Sequence, residues 1–190
     1  MSLKEYATKR DFGLTEEPEP KKKKSGKRLR FVVQKHKASS LHYDFRLEWD
    51  GVLLSWAVPK GPSFNPSEKR LAIRVEDHPY AYRDFEGTIP KGEYGGGTVM
   101  LWDEGEWVPE GDGKELLTGG SLKFTLAGQR LKGGWALVHM KPKPGEEDKN
   151  WLLIKEKDEY AKATTGLSAF TTSVRSGLTM KQIADQAAKD

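Results

Sequence analysis

Short β-prone runs, separated by glycine and proline, dominate the chain from Leu29 to about Glu156. They are rich in branched and aromatic residues and are joined at turn signals such as "DG", "PKG", "EGDG" and "KGG". Eight of them read "LRFVVQKH", "HYDFRLEW", "VLLSWAV", "RLAIRVED", "GTVMLWDEG", "SLKFTLAG", "GWALVHM" and "NWLLIKEK". About eight short strands with turns between them are typical of an all-β barrel or sandwich, and we predict this fold class.

The two ends of the chain have a different texture. Residues 1–27 are rich in charge and proline and show no sustained apolar period, so patterning alone predicts a mobile segment. Near the other end, "SGLTMKQIADQAAKD" predicts a short helix with Thr179 as its N-cap. We therefore divide the chain into a charged, partly flexible N-terminal segment (1–28), a β core (29–158) and a C-terminal extension with a short helix (159–190).

One predicted strand, "LHYDFRLE", alternates strictly between apolar and polar side chains. Its polar members would share one face of the strand, and they are His42, Asp44, Arg46 and Glu48. A short turn through "KASS" would bring His36 of the preceding strand beside His42. A later stretch, "KRLAIRVEDH", repeats the alternation and places a second charged set on one predicted face, comprising Arg70, Arg74, Glu76 and His78.

These residue types suggest a metal site beside an anion site. The chain has no cysteine, which leaves histidine, carboxylate and water as ligands. Two imidazoles and one carboxylate suit Mn²⁺, Fe²⁺, Co²⁺ or Zn²⁺. Arginine is no metal ligand, but its planar fork can grip phosphate through two hydrogen bonds. Metal, arginine and a further histidine together indicate phosphoryl-transfer chemistry.

Two other functions fit parts of the same pattern. His42, Asp44 and the distant His139 could form the facial triad of a non-haem Fe(II) oxygenase, although His36, Arg46 and His78 would then have no role. Alternatively, a β-barrel without catalytic activity could bind nucleic acid by stacking bases on its six Trp, six Tyr and seven Phe. Most of these aromatic residues lie on the apolar phase of their strands, where packing in a core is the ordinary explanation.

Two long stretches resemble a known family. "FVVQKHKASSLHYDFRLEWDGVLLSWAVPKGPS" and "KRLAIRVEDHPYAYRDFEGTIPKGEYGGGTVMLWDEGEW" are similar to the 3′-phosphoesterase domain of bacterial DNA ligase D and its stand-alone relatives. The likeness also includes the N-terminal "YATKRDFGLTEEPEP" and the later "WLLIKEKD" and "SVRSGLTMKQIA". The resemblance implies a closed β-barrel of about eight strands with a few short peripheral helices and a site on its inner polar face.

The resemblance also implies an activity, a cofactor and partners. It predicts an Mn²⁺-dependent 3′-phosphodiesterase and 3′-phosphomonoesterase, for which Co²⁺ or Zn²⁺ are alternative metals. The enzyme would release a 3′-terminal ribonucleoside from DNA and then hydrolyse the remaining 3′-phosphate to a 3′-hydroxyl for non-homologous end joining. Its implied partners are DNA 3′ ends in primer-template or duplex form, ligase and polymerase modules, and an end-binding protein.

The resemblance assigns roles to individual residues. By this likeness His36, His42 and Asp44 are metal ligands, while Arg46 and His78 hold the scissile phosphate. Further site positions of the family are matched by Gln34, Lys60, Arg70, Glu76, Tyr82, Arg10, Asp11 and Glu17. Because three of these lie before residue 28, we expect part of the N-terminal segment to fold over the site.

Charge and hydropathy suggest where the protein acts. The formal net charge is +4, and seven positive charges lie in the block 21–30, so the rest of the chain carries −3. Such a block suits either a solvated linker or a contact to phosphate backbone. No apolar run approaches the roughly 18 residues that span a bilayer, and no secretory signal is present. We expect a soluble, cytoplasmic monomer that associates with the nucleoid when bound to DNA and has no membrane partner.

Deleting residues 21–28 tests whether the lysine-rich block contacts DNA. If it does, the deletion weakens the affinity for duplex DNA and flattens its dependence on salt, because fewer counterions are released on binding. Fluorescence anisotropy over a series of salt concentrations measures both effects. An unchanged Kd would make the block a tether.

Overall fold

Eight antiparallel strands close into a barrel because the first strand, β1, pairs with both the second and the sixth. The computed structural model describes residues 2–24 and 26–189. Around the barrel the order is β1-β2-β3-β4-β9-β8-β7-β6, and a short ninth strand, β5, pairs with the first three residues of β6. The strands are β1 Leu29–Lys37, β2 Leu41–Trp49, β3 Val52–Val58, β4 Arg70–Pro79, β5 Gly87–Ile89, β6 Gly97–Pro109, β7 Ser121–Gly128, β8 Lys132–His139 and β9 Asn150–Lys155. The predicted all-β closed barrel is confirmed.

A few short helices lie around the barrel. They are α1 Leu3–Thr8, α2 Gly113–Gly119 and α3 Met180–Ala187, with single 3₁₀ segments at Tyr80–Asp84 and Leu167–Ala169. The predicted C-terminal helix is present, and the Thr179 hydroxyl accepts a hydrogen bond from the Gln182 backbone as the expected N-cap. Ile183 anchors this helix in the barrel's apolar cluster. Within the described residues, every helix is too short or too polar to cross a membrane.

The barrel interior is apolar and strongly aromatic. One buried cluster contains side chains from all eight barrel strands. It must lie inside the barrel, because only there can side chains from all eight strands meet. Representative members, one from each strand, are Phe31, Phe45, Trp56, Ala72, Trp102, Phe124, Trp135 and Trp151. The interpretation that most aromatic residues pack a core is therefore confirmed, and few of them are left to stack on nucleic-acid bases.

A second apolar cluster lies outside the barrel wall. It joins α1, the 3₁₀ segment Tyr80–Asp84 and β5 to the outer faces of β1, β3 and β6, through Tyr6, Val32, Leu53, Tyr82, Phe85, Ile89, Val99 and Leu101. Tyr6 has no exposed surface, and its hydroxyl donates to the Pro18 carbonyl at 2.7 Å. Patterning did not predict α1, because one buried tyrosine in a charged stretch creates no apolar period. The N-terminal segment is thereby held against the barrel.

A bulge in β4 decides which of its side chains face outward. Ser55 of β3 lies opposite Val75, but Leu53, two residues earlier, lies opposite His78, so β4 contains one extra residue. As a result Arg74 shares the interior phase with Trp56, over whose ring its guanidinium lies at 4.9 Å, while His78 is on the outer face. The prediction that Arg70 and Arg74 share one face with Glu76 and His78 is wrong, because period-two counting assumes an unbroken strand.

Replacing Tyr6 with alanine should release the N-terminal segment without unfolding the barrel. The change removes a buried aromatic side chain, and we expect a loss of about 3 kcal/mol from the docking of this segment. Trypsin should then cleave after Lys9 and Arg10 much faster than in the wild type. Leu14→Ala, at a position 58% exposed, is the control and should leave the cleavage rate unchanged. Equal rates for Tyr6→Ala and wild type would mean that α1 is not held by this side chain.

Candidate metal and phosphate site

The predicted polar cluster lies on the outer face of the barrel wall. His36 of β1 stands directly opposite His42 of β2, and Asp44 and Arg46 follow on the same face of β2. These residues alternate with Tyr43 and Phe45, which point into the apolar interior. The site implied on an inner polar face is therefore wrong. Alternation could not tell inside from outside, since β2 is buried on both faces from Tyr43 to Glu48.

A pocket of about 280 Å³ opens over this cluster, and we call it the phosphate pocket. It is lined by side chains from β1, β2 and β4, by Arg10 of the N-terminal segment, and by the loop before β6. The lining includes Arg10, His36, His42, Asp44, Arg46, Glu76, His78, Tyr82 and Tyr94. Eight of the side chains that the sequence predicted for the site thus share one cavity.

His36, His42 and Asp44, which we call the ligand trio, converge on one point. A single donor atom from each residue lies within 4.8 Å of the other two. Asp44 Oδ2 is 3.5 Å from His36 Nδ1 and 3.6 Å from His42 Nε2. These separations exceed an ordinary hydrogen bond and leave the three donors facing a common centre. Two imidazole nitrogens and a carboxylate oxygen fit a divalent transition metal.

The outer hydrogen bonds of the two imidazoles support the same interpretation. His36 Nε2 lies 2.7 Å from the Gly95 carbonyl, and His42 Nδ1 lies 3.2 Å from the Ser40 carbonyl. Because a carbonyl can only accept, these nitrogens carry the protons in the neutral rings. The other nitrogen of each ring then turns a lone pair toward Asp44. Two lone pairs and a carboxylate around one point repel each other unless a cation lies between them.

Electrostatics favour the ionised form of Asp44. Burial opposes its ionisation, but the Arg46 guanidinium and the adjacent imidazoles of His36 and His42 outweigh it, and the pKa of Asp44 lies well below its ordinary value. Burial acts against a charged His42, yet Asp44 raises the pKa of this ring above its ordinary value. The carboxylate thus attracts positive charge to the centre of the trio, either as a proton or as a metal ion.

Arg46 is fixed at the inner wall of the phosphate pocket. Its Nε donates to Gln34 Oε1 at 2.7 Å, its Nη2 lies 3.3 Å from Asp44 Oδ2, and its guanidinium lies 4.8 Å from the centre of the Tyr82 ring. Gln34 is itself buried and donates to the carbonyls of Tyr82 and Phe85 at 2.9 Å. Arg46 Nη1 is buried and has no hydrogen-bond partner among residues 2–24 and 26–189. A buried donor of this kind is suited to an anionic ligand.

Arg10 reaches the pocket from the N-terminal segment. Its Nε donates to Glu17 at 2.8 Å, its Nη1 lies 3.3 Å from Glu76, and its Nη2 lies 3.4 Å from His78 Nε2. Tyr82 donates to the same Glu17 at 2.9 Å. The predicted site residues Arg10, Glu17, Glu76 and Tyr82 therefore form one buried network around the second guanidinium of the pocket.

His78 is held in a neutral state beside two guanidinium groups. Its Nδ1 lies 2.9 Å from the Glu76 carbonyl and carries the proton, so Nε2 is the acceptor facing Arg10. Burial, followed by the charges of Arg46 and Arg10, keeps the pKa of His78 well below its ordinary value. The ring therefore adds no positive charge to this network.

Five predicted site residues are absent from the lining of the phosphate pocket. Gln34 and Glu17 lie behind it, hydrogen-bonded to Arg46 and Arg10. The other three are Lys60, Asp11 and Arg70. Lys60 and Asp11 are exposed, and Asp11 accepts a hydrogen bond from the Gly13 backbone. Arg70 donates to Glu68 at 2.9 Å and to Thr165 at 3.0 Å near the C-terminal extension. Lys60 follows the end of β3 by two residues and Arg70 begins β4, at the end of the barrel where β2 begins. Their functional roles stay predictions.

His139 lies far from the ligand trio in the sheet. It belongs to β8, stacks on Trp151 at 4.8 Å and lies 2.8 Å from Asp148 Oδ1. It is not among the residues that line the phosphate pocket. The facial triad of His42, Asp44 and His139 that an oxygenase would need is therefore not assembled.

Sequence patterning missed two aromatic residues near the site. Tyr6 packs against His78 with ring centres 4.9 Å apart. Tyr94, 47% exposed, lines the mouth of the phosphate pocket, and its neighbour Gly95 supplies the carbonyl that binds His36. The sequence signal that could have identified Tyr94 is "KGEYGGG", because a tyrosine among glycines in a turn has no core to pack against.

The lysine-rich block lies along the turn between β2 and β3. The Lys23 backbone donates to the Gly51 carbonyl at 3.1 Å, Lys22 pairs with Asp50, and the Lys23 ammonium lies 4.5 Å from the centre of the Tyr80 ring. Ser25, within the block, is outside the described residues. Part of the block is thus held against the barrel, and its contact with DNA stays a prediction.

Comparison with known proteins gives a consistent result. A family model described as the DNA Ligase D 3′-phosphoesterase domain matches residues 34–139. The chain is 53% identical over 164 residues to the multifunctional non-homologous end joining protein LigD of Pseudomonas aeruginosa, covering 85% of this chain and 19% of that protein. It is 43% identical to LigD of Mycolicibacterium smegmatis, with 83% and 21% covered. It is 47% identical to LigD of Mycobacterium tuberculosis, with 72% and 18% covered. The chain thus spans about a fifth of the length of these relatives.

Replacing Gln34 with methionine should loosen the wall behind Arg46. The change leaves Arg46 Nε and two backbone carbonyls without their buried partner, and we expect the free energy of unfolding to fall by at least about 2 kcal/mol. Urea denaturation measures this loss. Gln129→Met, at an exposed position, is the matched control and should change stability by less than about 0.5 kcal/mol. Equal stability of the two variants would mean that Gln34 does not support Arg46.

Proposed function

This chain belongs to the family of DNA ligase D 3′-phosphoesterase domains, and we propose that it is a divalent-metal-dependent hydrolase that prepares DNA 3′ ends for joining. Its first proposed reaction releases a 3′-terminal ribonucleoside and leaves a 3′-phosphate. The second hydrolyses that phosphate to a 3′-hydroxyl. One observation carries the proposal: the three donors of the ligand trio meet beside the guanidinium of Arg46, whose Nη1 is unpartnered among the described residues.

The ligand trio would hold the metal. When bound, a divalent cation supplies Lewis-acid stabilisation to a phosphoryl oxygen. We propose Mn²⁺ on the strength of the family resemblance, and the same donors would accept Co²⁺ or Zn²⁺. The carbonyls of Gly95 and Ser40 keep both imidazoles in the tautomer that offers a lone pair to the ion.

Arg46 and Arg10 would bind the phosphate. Arg46 approaches from β2 and Arg10 from the N-terminal segment, so two guanidinium groups face the pocket from different elements. Arg46 is held by Gln34 and Asp44, and Arg10 by Glu17 and Glu76. Because their partners fix both side chains before the substrate arrives, little reorganisation is needed when negative charge develops on the phosphoryl oxygens.

His78 would respond to the bound anion. Burial and the charges of Arg46 and Arg10 keep His78 neutral. A bound phosphate would offset the two charges and favour a proton on Nε2, which could then be donated to a phosphoryl or leaving oxygen. In each reaction a water oxygen bonds to phosphorus, the bond from phosphorus to the leaving oxygen breaks, and that oxygen takes up a proton. The leaving oxygen belongs to the released nucleoside in the first reaction and to the DNA strand in the second.

The relatives suggest the setting of this activity. Their names describe non-homologous end joining proteins, which supports DNA ends as the substrate. We propose that ligase and polymerase modules and an end-binding protein act on the same ends. A non-catalytic nucleic-acid-binding barrel is less well supported, since the aromatic side chains that it would need are largely in the interior.

Replacing His42 or Asp44 with alanine should abolish both reactions and metal binding. Each change removes one of three ligands, and in Asp44→Ala the carboxylate that attracts the cation is lost as well. The assay incubates a primer-template ending in a 3′-phosphate, with and without Mn²⁺, and measures free phosphate. Isothermal titration with Mn²⁺ measures metal binding.

The matched control is His139→Ala, which changes a histidine outside the phosphate pocket and should keep wild-type activity. Full activity in His42→Ala or Asp44→Ala would contradict the ligand assignment. Indifference of the wild type to chelators, with an intact 3′-phosphate, would identify a binding module. A requirement for iron, O₂ and an oxo-acid would identify an oxygenase.

A further inference from the structure

A second cavity adjoins the phosphate pocket, and we call it the side pocket. Its volume is about 330 Å³, and Val75, Glu76 and Tyr94 line both cavities. The rest of its lining comes from α1, β4 and the loop before β9, and includes Thr8, Lys9, Ile73, Arg74 and Lys149. Tyr94, nearly half exposed, thus stands at the boundary between the two cavities.

The spacing of the strands fixes how far apart the two cavities are. Asp44 pairs with Ala57, and Ala57 pairs with Ile73, so Ile73 lies two strands from the ligand trio on the same outer face. Adjacent strands are about 4.8 Å apart, which puts the floor of the side pocket about 10 Å from Asp44. This distance matches the reach of one nucleoside attached to a phosphorus at the trio.

The cations that line the side pocket are already paired with carboxylates. Lys9 Nζ lies 3.0 Å from Glu76, Arg74 pairs with Asp77, and Lys149 pairs with Glu147. A second phosphate would have to compete with these carboxylates. What the side pocket offers instead is the apolar side chains of Ile73 and Val75, polar groups at its rim, and the Tyr94 ring. Lys9 Nζ and the Arg10 guanidinium lie 4.9 and 5.2 Å from the centre of this ring, so a base would share it with these cations. Such a surface suits a flat, uncharged heteroaromatic ring.

We propose that the side pocket binds the nucleobase of the terminal ribonucleoside, with Tyr94 as the aromatic surface on which that base stacks. This inference rests on the proposed function and adds the part of the substrate that the phosphate pocket does not hold. The base would lie in the side pocket only while the terminal nucleoside is attached. The side pocket therefore serves ribonucleoside release, and the hydrolysis of a 3′-phosphate has no base to place there.

The test compares three substrates that share one primer sequence. The first ends in a ribonucleoside, the second ends in a ribose without a base, and the third ends in a 3′-phosphate. In Tyr94→Ala we expect kcat/KM for release of the base-bearing terminus to fall roughly five- to 100-fold, the range of stacking contributions. For the other two substrates, the fold-decrease in kcat/KM should be at least five times smaller. Tyr94→Phe should keep most of the activity, because it keeps the ring.

Two further variants separate stacking from disturbance of the fold. Thr8→Trp fills the side pocket from the exposed face of α1 and should also reduce release of the base-bearing terminus selectively. Tyr160→Ala removes another exposed tyrosine, 42% accessible, and should match the wild type on all three substrates. Adenosine binding, followed by NMR titration of the metal-loaded protein, should weaken in Tyr94→Ala independently of any turnover.

The outcomes distinguish this inference from the proposed function. An active wild type with equal losses on all three substrates in Tyr94→Ala would overturn the base-binding role and leave the hydrolase intact. Unchanged activity in that variant would overturn it as well. A wild type that releases neither nucleoside nor phosphate would instead contradict the proposed function, and the adenosine titration would then decide whether the side pocket binds a base.

Discussion

Strand β2 must separate an apolar core from a charged pocket, and this constraint organises the whole site. Its inward side chains, such as Phe45, pack in the barrel, while Asp44 and Arg46 on the other face are also buried. A buried charge is stable only where partners replace water. Asp44 therefore needs Arg46 and the two histidines, and Arg46 needs Gln34. What covers this face is an ordered polar network and not bulk solvent.

The N-terminal segment supplies the counterpart of that network. Arg10 joins Glu17 of its own segment to Glu76 and His78 of β4, so positive and negative groups alternate across the pocket. Tyr6 holds the segment in place by an apolar contact and a hydrogen bond to Pro18. The polar network around Glu76 and His78 is therefore completed only when the N-terminal segment lies on the barrel wall.

Much of this arrangement could be predicted from the sequence, and the exceptions have physical reasons. Alternation in "LHYDFRLE" correctly grouped His42, Asp44 and Arg46, because regular strands have a fixed period of two. The same counting failed in β4, where one bulge moves Arg74 to the other face from His78. It also could not tell the inner from the outer face of β2, since both are buried. Tyr94 was missed because a single aromatic residue in a glycine-rich loop produces no periodic pattern.

The bulge in β4 makes the number of residues as important as their identity. Between the pairing of Ile73 with Ala57 and that of His78 with Leu53, the extra residue returns the imidazole to the side on which Glu76 and Arg10 lie. Deleting one residue between Val75 and His78 would restore unbroken alternation, so Glu76 and His78 could no longer both face the pocket. Natural variation in this stretch should accordingly proceed by exchange of amino acids at constant length, with insertions and deletions confined to the loops beyond it.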